Sequence, residues 1–452
     1  MQINTYLCRL PSLLPTYTFA LEKIQMNMKS FVLSLFMVSV ASCLQVQAQD
    51  AVKKTSGNRD GYEKLRVGSY GEMLFQYMDY SADRYTHAEG AQKENRAAIS
   101  IPRTVFALDY KFTPSWILST EVEFEYGGTG IARALEYDEG GEYETELEKG
   151  GEVVLEQFHI TKRFNDAFML RMGHIIVPVG LTNAHHEPIH FFGTSRPEGE
   201  MNMIPCTWHE TGLAVLGNYR NLSYEAMVVN GLDPNGFSSA YWIRKGKQGM
   251  FETSVMNSPA LAGRLEYKPI RDLRIGGSIY WGNTAKNTSK TSKMKGLKGE
   301  VTLFSGDLEY KGNNAVVRAN VIYGNLSDSY SITRINYSMP QAAGFPRTPV
   351  AQNALNYFVE AGYDVFSLFG LKSKLYPFFR YDYYNTMYKT EELVDKNPRY
   401  GKDIFSVGIN YYPLPNLVCK LDYAHRRIDR GNFNSENTLS ASIGYVVWFY
   451  SK

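Results

Sequence analysis

From Leu65 to Tyr450 the chain repeats one theme: about ten residues in which apolar positions alternate with polar or small ones, then a turn. In Trp116 to Tyr126 one face carries Trp116, Leu118, Val122, Phe124 and Tyr126, and the other carries Ser119, Glu121, Glu123 and Glu125. Successive side chains of a strand point to opposite faces, so this is a strand with one apolar and one wet face. Phe106, Leu108, Tyr110 and Phe112 oppose Arg103, Asp109 and Lys111 in the same way. So do Leu417, Cys419, Leu421 and Tyr423 against Lys420, Asp422 and Arg426, and Leu439 to Phe449 against Ser440, Ser442 and Gly444. Helical periodicity is almost absent. The pattern predicts an all-β chain of about sixteen strands, an even number as single-chain bacterial barrels require.

The connections alternate in length. Tight turns at Thr113-Pro114, Asn165-Asp166, Arg220-Asn221, 269–272, 312–314 and 413–416 are interleaved with long polar loops at 80–96, 127–150, 178–208, 231–259, 283–297, 325–353, 385–402 and 428–436. Short periplasmic turns on one rim and long extracellular loops on the other describe a transmembrane antiparallel β-barrel. Lipid offers no hydrogen bonds, so a sheet in a membrane must close and leave no edge. Tyrosine and phenylalanine clusters near strand ends, such as Tyr381, Tyr383 and Tyr384 or Tyr411 and Tyr412, are expected in the aromatic girdles at the two interfaces. A soluble sandwich has little use for them.

Ahead of the barrel, the apolar run Phe31 to Leu44 is too short to span a bilayer but suits a signal-peptide core. Residues 1–48 are therefore read as a leader region starting at Met26 or Met28, with cleavage after Val46-Gln47-Ala48; Val40-Ala41-Ser42-Cys43 is a competing lipoprotein box. Residues 49–64 are short, charged and aperiodic, a flexible periplasmic lead-in, and 65–452 form the barrel. The 48 basic and 46 acidic residues leave almost no net field, which excludes a nucleic-acid partner. Past the leader only Cys206 and Cys419 remain, too few for a disulfide scaffold.

One motif points to different chemistry. His186-Glu187-Pro188-Ile189-His190 satisfies H-E-x-x-H, in which two histidines one helical turn apart bind zinc. Pro188 lies between them, where it breaks a helix, and Glu187 before it is pushed toward extended geometry. The stretch reads as an irregular loop, with no metal and no organic cofactor assigned. No serine lies with a histidine and a carboxylate on matching faces, so the chain is not read as an enzyme.

The segment "GHIIVPVGLTNAHHEPIHFFGTSRPEGE", Gly173 to Glu200, resembles the phosphate-selective porin O and P family, with its glycine, Pro-x-Gly step and Phe-rich, Arg-containing loop. The resemblance implies a homotrimeric outer-membrane channel of sixteen strands for small hydrophilic solutes or ions, with the third long loop, 178–208, folded inward to constrict it. It also implies that the outer-membrane assembly machinery reads the aromatic last strand ending in Tyr445, Val447 and Phe449. Constriction candidates are then His185, His186, Glu187, His190, Arg196, Glu198 and Glu200. Wall-charge candidates are Arg103, Lys111, Glu121, Glu123, Glu125, Arg264, Arg274, Arg318, Arg380 and Arg426. Phosphate preference does not follow, because the acids are as numerous as the bases. Glu121, Glu123 and Glu125 stand roughly 7 Å apart along one strand face, with Arg103 the expected partner. Two other readings stay open: a substrate-specific transporter for oligosaccharide or peptide, using lumen tyrosines such as Tyr280, Tyr376 and Tyr384, and a barrel enzyme.

Overall fold

Sixteen antiparallel strands close on themselves: β1 (Leu65–Met78), β2 (Arg96–Thr113), β3 (Trp116–Glu125), β4 (Glu152–Arg163), β5 (Met169–Ile176), β6 (His209–Tyr219), β7 (Leu222–Val229), β8 (Ala260–Ile270), β9 (Leu273–Asn283), β10 (Glu300–Gly312), β11 (Ala315–Leu326), β12 (Asn353–Tyr363), β13 (Lys374–Lys389), β14 (Gly401–Leu414), β15 (Leu417–Ile428) and β16 (Glu436–Ser451). The computed structural model describes residues 62–80, 92–128, 151–248, 254–288, 291–338, 347–428 and 433–452. The leader and most of the lead-in lie outside the described residues. Each strand pairs with its sequence neighbour, and β1 closes the ring on β16 from Arg66 opposite Ser451 to Met78 opposite Thr438.

The expected alternation of connections holds. Five of the short turns have only two residues, Pro114-Ser115, Arg220-Asn221, Arg271-Asp272, Asn313-Asn314 and Pro415-Asn416. Asn313 and Asn314 both take positive φ, 50° and 61°, which matches the twist of a tight hairpin.

Burial is inverted relative to a soluble protein. Phe106, Leu265, Ile279, Phe304, Val321, Val359 and Val407 point outward and are exposed, while Arg103, Arg264, Asp307, Arg318, Glu360, Arg380 and Asp422 point inward and are buried. Outward aromatics gather at both rims, with Phe112, Trp116, Tyr219 and Trp448 at the short-turn end and Trp281, Phe304, Tyr323 and Phe405 at the other. Two expected girdle residues are not there. Tyr384 and Tyr412 face inward, where their hydroxyls donate to Glu198 Oε1 (2.8 Å) and the Ile189 carbonyl (3.3 Å).

The lumen also departs from a uniformly polar wall. Toward the long-loop rim, inward positions of β7, β10 and β11 are apolar (Met227, Val229, Val301, Leu303 and Ile322), and loop residues Val179, Ile204, Trp208, Phe237, Trp242 and Ile332 pack on them as one buried core. On β10 the inward face changes from Val301 and Leu303 to Ser305 and Asp307, so a single strand lines both this core and the wet region below it.

Candidate functional site

The loop after β5, 177–208, enters the barrel and crosses to the far wall. It contains one helical turn, α1 (Leu181–Ala184), and one short helix, α2 (Glu198–Met203); the rest has no regular structure. His185 to His190 is non-helical, as Pro188 requires.

A buried irregular backbone must find hydrogen-bond partners outside itself, and here the wall charges supply them. Lys420 Nζ donates to the carbonyls of Phe191 (3.0 Å) and Gly193 (2.8 Å), and Arg380 Nη1 to those of Phe192 and Ser195 (both 3.0 Å). The Phe192 amide donates to Glu360 Oε1 (3.2 Å), the Thr194 amide to Asp422, and the Gly199 amide to Asp382 Oδ2 (3.1 Å). Gly193 has φ +77°, and a Cβ there would stand 3.1 Å from Arg380 Nη1, so glycine allows the apex to lie against the guanidinium. Farther along, Glu198 takes Arg426 Nε at 2.6 Å, with Lys402 Nζ at 4.0 Å. Glu200 is fully buried and accepts from the Asn183 amide (2.7 Å) and Asn320 Nδ2 (3.0 Å); burial pushes its carboxyl up.

The near side of the loop meets β1 to β4. Arg103 Nη2 donates to the His186 carbonyl and Arg103 Nε sits 3.4 Å from Glu72 Oε1, so its ion-pair partner is Glu72 rather than the glutamates of β3. Tyr70 Oη lies 2.9 Å from His186 Nε2 and 2.9 Å from Glu156 Oε2. His186 Nδ1 is 3.2 Å from the Asn183 carbonyl, which only accepts, so Nδ1 carries the proton. Burial holds the His186 imidazole below its ordinary range. His190 turns the other way, 3.6 Å from Glu187 Oε2, so the two histidines of the H-E-x-x-H string do not converge. Arg196 Nη1 donates to Thr207 Oγ1 at 3.3 Å.

The wall charges on β8 to β13 interlock. Register places Arg274, Glu309, Arg318, Glu360 and Arg380 in one row across β9 to β13. Arg318 bridges Glu309 (2.7 Å) and Glu360 (2.8 Å), and Arg274 and Arg264 share Glu266 (3.1 and 2.9 Å), with Arg264 also on Asp307 (2.8 Å). Bases and acids therefore alternate along this wall instead of forming opposed rows. Glu121 and Glu123 lie apart from it on β3, with Glu125 at that strand's loop end. Lys111 points to the short-turn rim, where it donates to the Tyr62 carbonyl at 2.9 Å.

Below the loop, on the short-turn side, lie three adjoining cavities of about 300, 560 and 280 Å³. His185 and Glu266 are shared by the first two and His190 and Lys311 by the last two. Lys268, Arg271, Arg274, Lys311, Lys372 and Lys374 line the last two, against Glu266, Asp272 and Glu309.

Sequence reasoning missed Tyr70, Glu72, Glu156 and Lys402. Glu156 escaped for a specific reason: Glu121 pairs with Gln157 and Val122 with Leu155, so Glu156 is the extra residue of a β-bulge. Strand parity changes there, and alternation read along β4 cannot say which way Glu156 points. Of the lumen tyrosines, Tyr280 is packed against Trp208 at 4.7 Å and fully buried, and Tyr384 is engaged with Glu198, so neither offers a free stacking face.

No family model matches the chain. An uncharacterized protein of Aquifex aeolicus (strain VF5) is 26% identical over 361 residues, which are 79% of this chain and 75% of that protein. Among solved structures, the anion-selective porin from Comamonas acidovorans superposes with a TM-score of 0.51 at 10% identity, over 85% of this chain and 100% of that one. OmpF of Salmonella typhi, in complex with daunomycin, gives a TM-score of 0.51 at 10% identity over 84% of this chain and 97% of that one. At such identities the likeness is one of fold, and the fold is that of the outer-membrane porin barrels of Gram-negative bacteria.

Proposed function

We propose that this chain is a passive outer-membrane channel for small hydrophilic solutes or ions, akin to the phosphate-selective porin O and P family, with the loop 178–208 as its size-limiting element. The observation that carries the reading is the loop's anchorage inside the barrel, from Tyr70 and Arg103 on one side to Arg380, Lys420 and Arg426 on the other. A segment held across a lumen by five side chains on four strands divides it, and solutes pass where side chains rather than backbone fill the section. Beneath it, the surplus of lysine and arginine around the cavities at the short-turn rim raises local anion concentration, which supports anion preference over cation preference. Among the described residues, no serine, threonine or cysteine nucleophile stands with an acid-base pair in a cavity open to a solute, so a channel fits better than a barrel enzyme. Assembly as a homotrimer belongs to the same proposal.

Planar-bilayer recording of the detergent-extracted protein tests it, with reversal potential in a salt gradient, for the wild type, for Lys311→Glu, and for a deletion of Ile189–Arg196 closed by two glycines. Stepwise conductance in threes, larger in the deletion and less anion-selective in Lys311→Glu, is the expected result. No conductance from folded barrels would sink the channel reading. An unchanged size limit in the deletion would sink the role of the loop.

A further inference from the structure

We infer that Glu121, Glu156 and the imidazole Nε2 of His186 form a site for one divalent first-row cation, which clamps the inward loop to the wall between β3 and β4. The three side chains come from two strands and the loop, and one ligand atom from each lies within 4.8 Å of the other two. His186 Nε2 and Glu156 Oε1 are 3.5 Å apart. A tetrahedral cation with bonds of about 2.1 Å separates its ligands by about 3.4 Å, so this pair already has the required span.

The hydrogen bonds present leave ligand atoms open. With its proton on Nδ1 toward Asn183, His186 presents a lone pair at Nε2. Thr207 reaches the Glu156 carboxylate and Gln157 that of Glu121, yet Glu156 Oε1, buried and on the His186 side, accepts no hydrogen bond. The hydroxyl between them, Tyr70 Oη, is 2.9 Å from His186 Nε2, 2.9 Å from Glu156 Oε2 and 3.4 Å from Glu121 Oε2. One hydroxyl proton cannot answer three acceptors. The neighbouring cation, Arg103, is turned to Glu72 and the His186 carbonyl. Two carboxyl groups and an imidazole lone pair thus converge in a buried position where the one neighbouring cation, Arg103, directs its hydrogen bond away from them.

The donor set selects the class of ion. One nitrogen and two carboxylate oxygens suit Zn²⁺ or Mn²⁺, whereas Ca²⁺ and Mg²⁺ prefer oxygen alone. With a cation bound, Tyr70 turns its hydrogen to Glu156 and, with Gln157, orients the ligands from outside. The β-bulge that aims Glu156 inward is then part of the site. The inference rests on the loop's position in the barrel, not on what the channel passes, and its test reads metal rather than current.

Full-length protein in detergent, stripped with EDTA and dialysed against Zn²⁺, is assayed for zinc by mass spectrometry and by zinc-edge X-ray absorption. One zinc per chain with a single imidazole and oxygen ligands is expected. Glu121→Gln and Glu156→Gln, each checked for a heat-modifiable barrel on gels, should weaken binding by more than the roughly 10–100-fold that an outer-shell change costs. His209→Ala, which breaks the nearby His174–His209 contact, should leave it intact. Folded wild type that retains no zinc would overturn the site, leaving a proton shared between the Glu121 and Glu156 carboxyls as what lets them stand so close. A two-imidazole spectrum, or binding that survives both glutamine substitutions, would overturn it equally.

Discussion

Lys420→Met tests how the loop is held. The lysine is 1% exposed, donates to two carbonyls of the loop apex at 3.0 and 2.8 Å, and lies 4.0 Å from the centroid of the Phe191 ring. Methionine keeps most of the stem volume and removes the donor. A hydrogen bond from a charged group contributes about 1.5–3 kcal/mol, so the two together are worth about 3–6 kcal/mol. Removing a buried ammonium returns part of its desolvation cost, and Arg380 still holds Phe192 and Ser195, so the lower end applies. A loss of about 3 kcal/mol raises the detached population of the apex by about 10²-fold, at tenfold per 1.4 kcal/mol. Hydrogen exchange read by mass spectrometry reports this directly, because the Phe192 and Thr194 amides are bonded only to wall carboxylates of Glu360 and Asp422. Exchange at Phe191–Ser195 should accelerate about 10²-fold while the strand amides of β14 and β16 keep their protection. Unchanged protection at the apex, in a barrel that still shifts on heating, would refute the claim that Lys420 anchors it.

Other expectations follow from the same geometry. Gly193→Ala forces a left-handed φ on an L-residue and crowds Arg380, so the unfolding temperature should fall by the equivalent of about 1–2 kcal/mol, and an unaltered transition would show that the apex relaxes freely. Trp208→Ala empties a fully buried site beside Tyr280 and should cost about 3–5 kcal/mol in a denaturant titration; a cost near zero would contradict an ordered apolar core in the lumen. Leu265→Arg places a charge on the lipid face, one residue after the inward Arg264, and should cost about 2–4 kcal/mol on refolding into lipid vesicles, whereas tolerance would mean that the face is not in lipid.

The architecture was legible in the chain because its determinants are local. Alternation along Trp116 to Glu125 needs only the strand's own period of two, and the short and long connections need only the turn residues between neighbours. That His186 to His190 cannot be a zinc helix also followed locally, from Pro188. The candidate site was legible as a segment and as a list of inward charges, but not as a set of contacts. Arg426 and Glu198 are 228 positions apart, and only the path of the loop through the barrel brings them to 2.6 Å. Nothing near Lys420 in sequence says that its partners are the carbonyls of Phe191 and Gly193, since an irregular backbone takes whichever donors the far wall presents. The apolar core inside the lumen was hidden because Val301 and Leu303 alternate on their strand like any others, and a period of two does not say whether an apolar inward face meets water or a folded loop. The sequence by itself determined a closed sixteen-stranded barrel with one long loop after β5. Which charges pair across the lumen, where Glu156 points past its bulge, and how the loop brings His186 to Glu121 were decided by tertiary structure, because strand closure and loop path join residues that no local period connects.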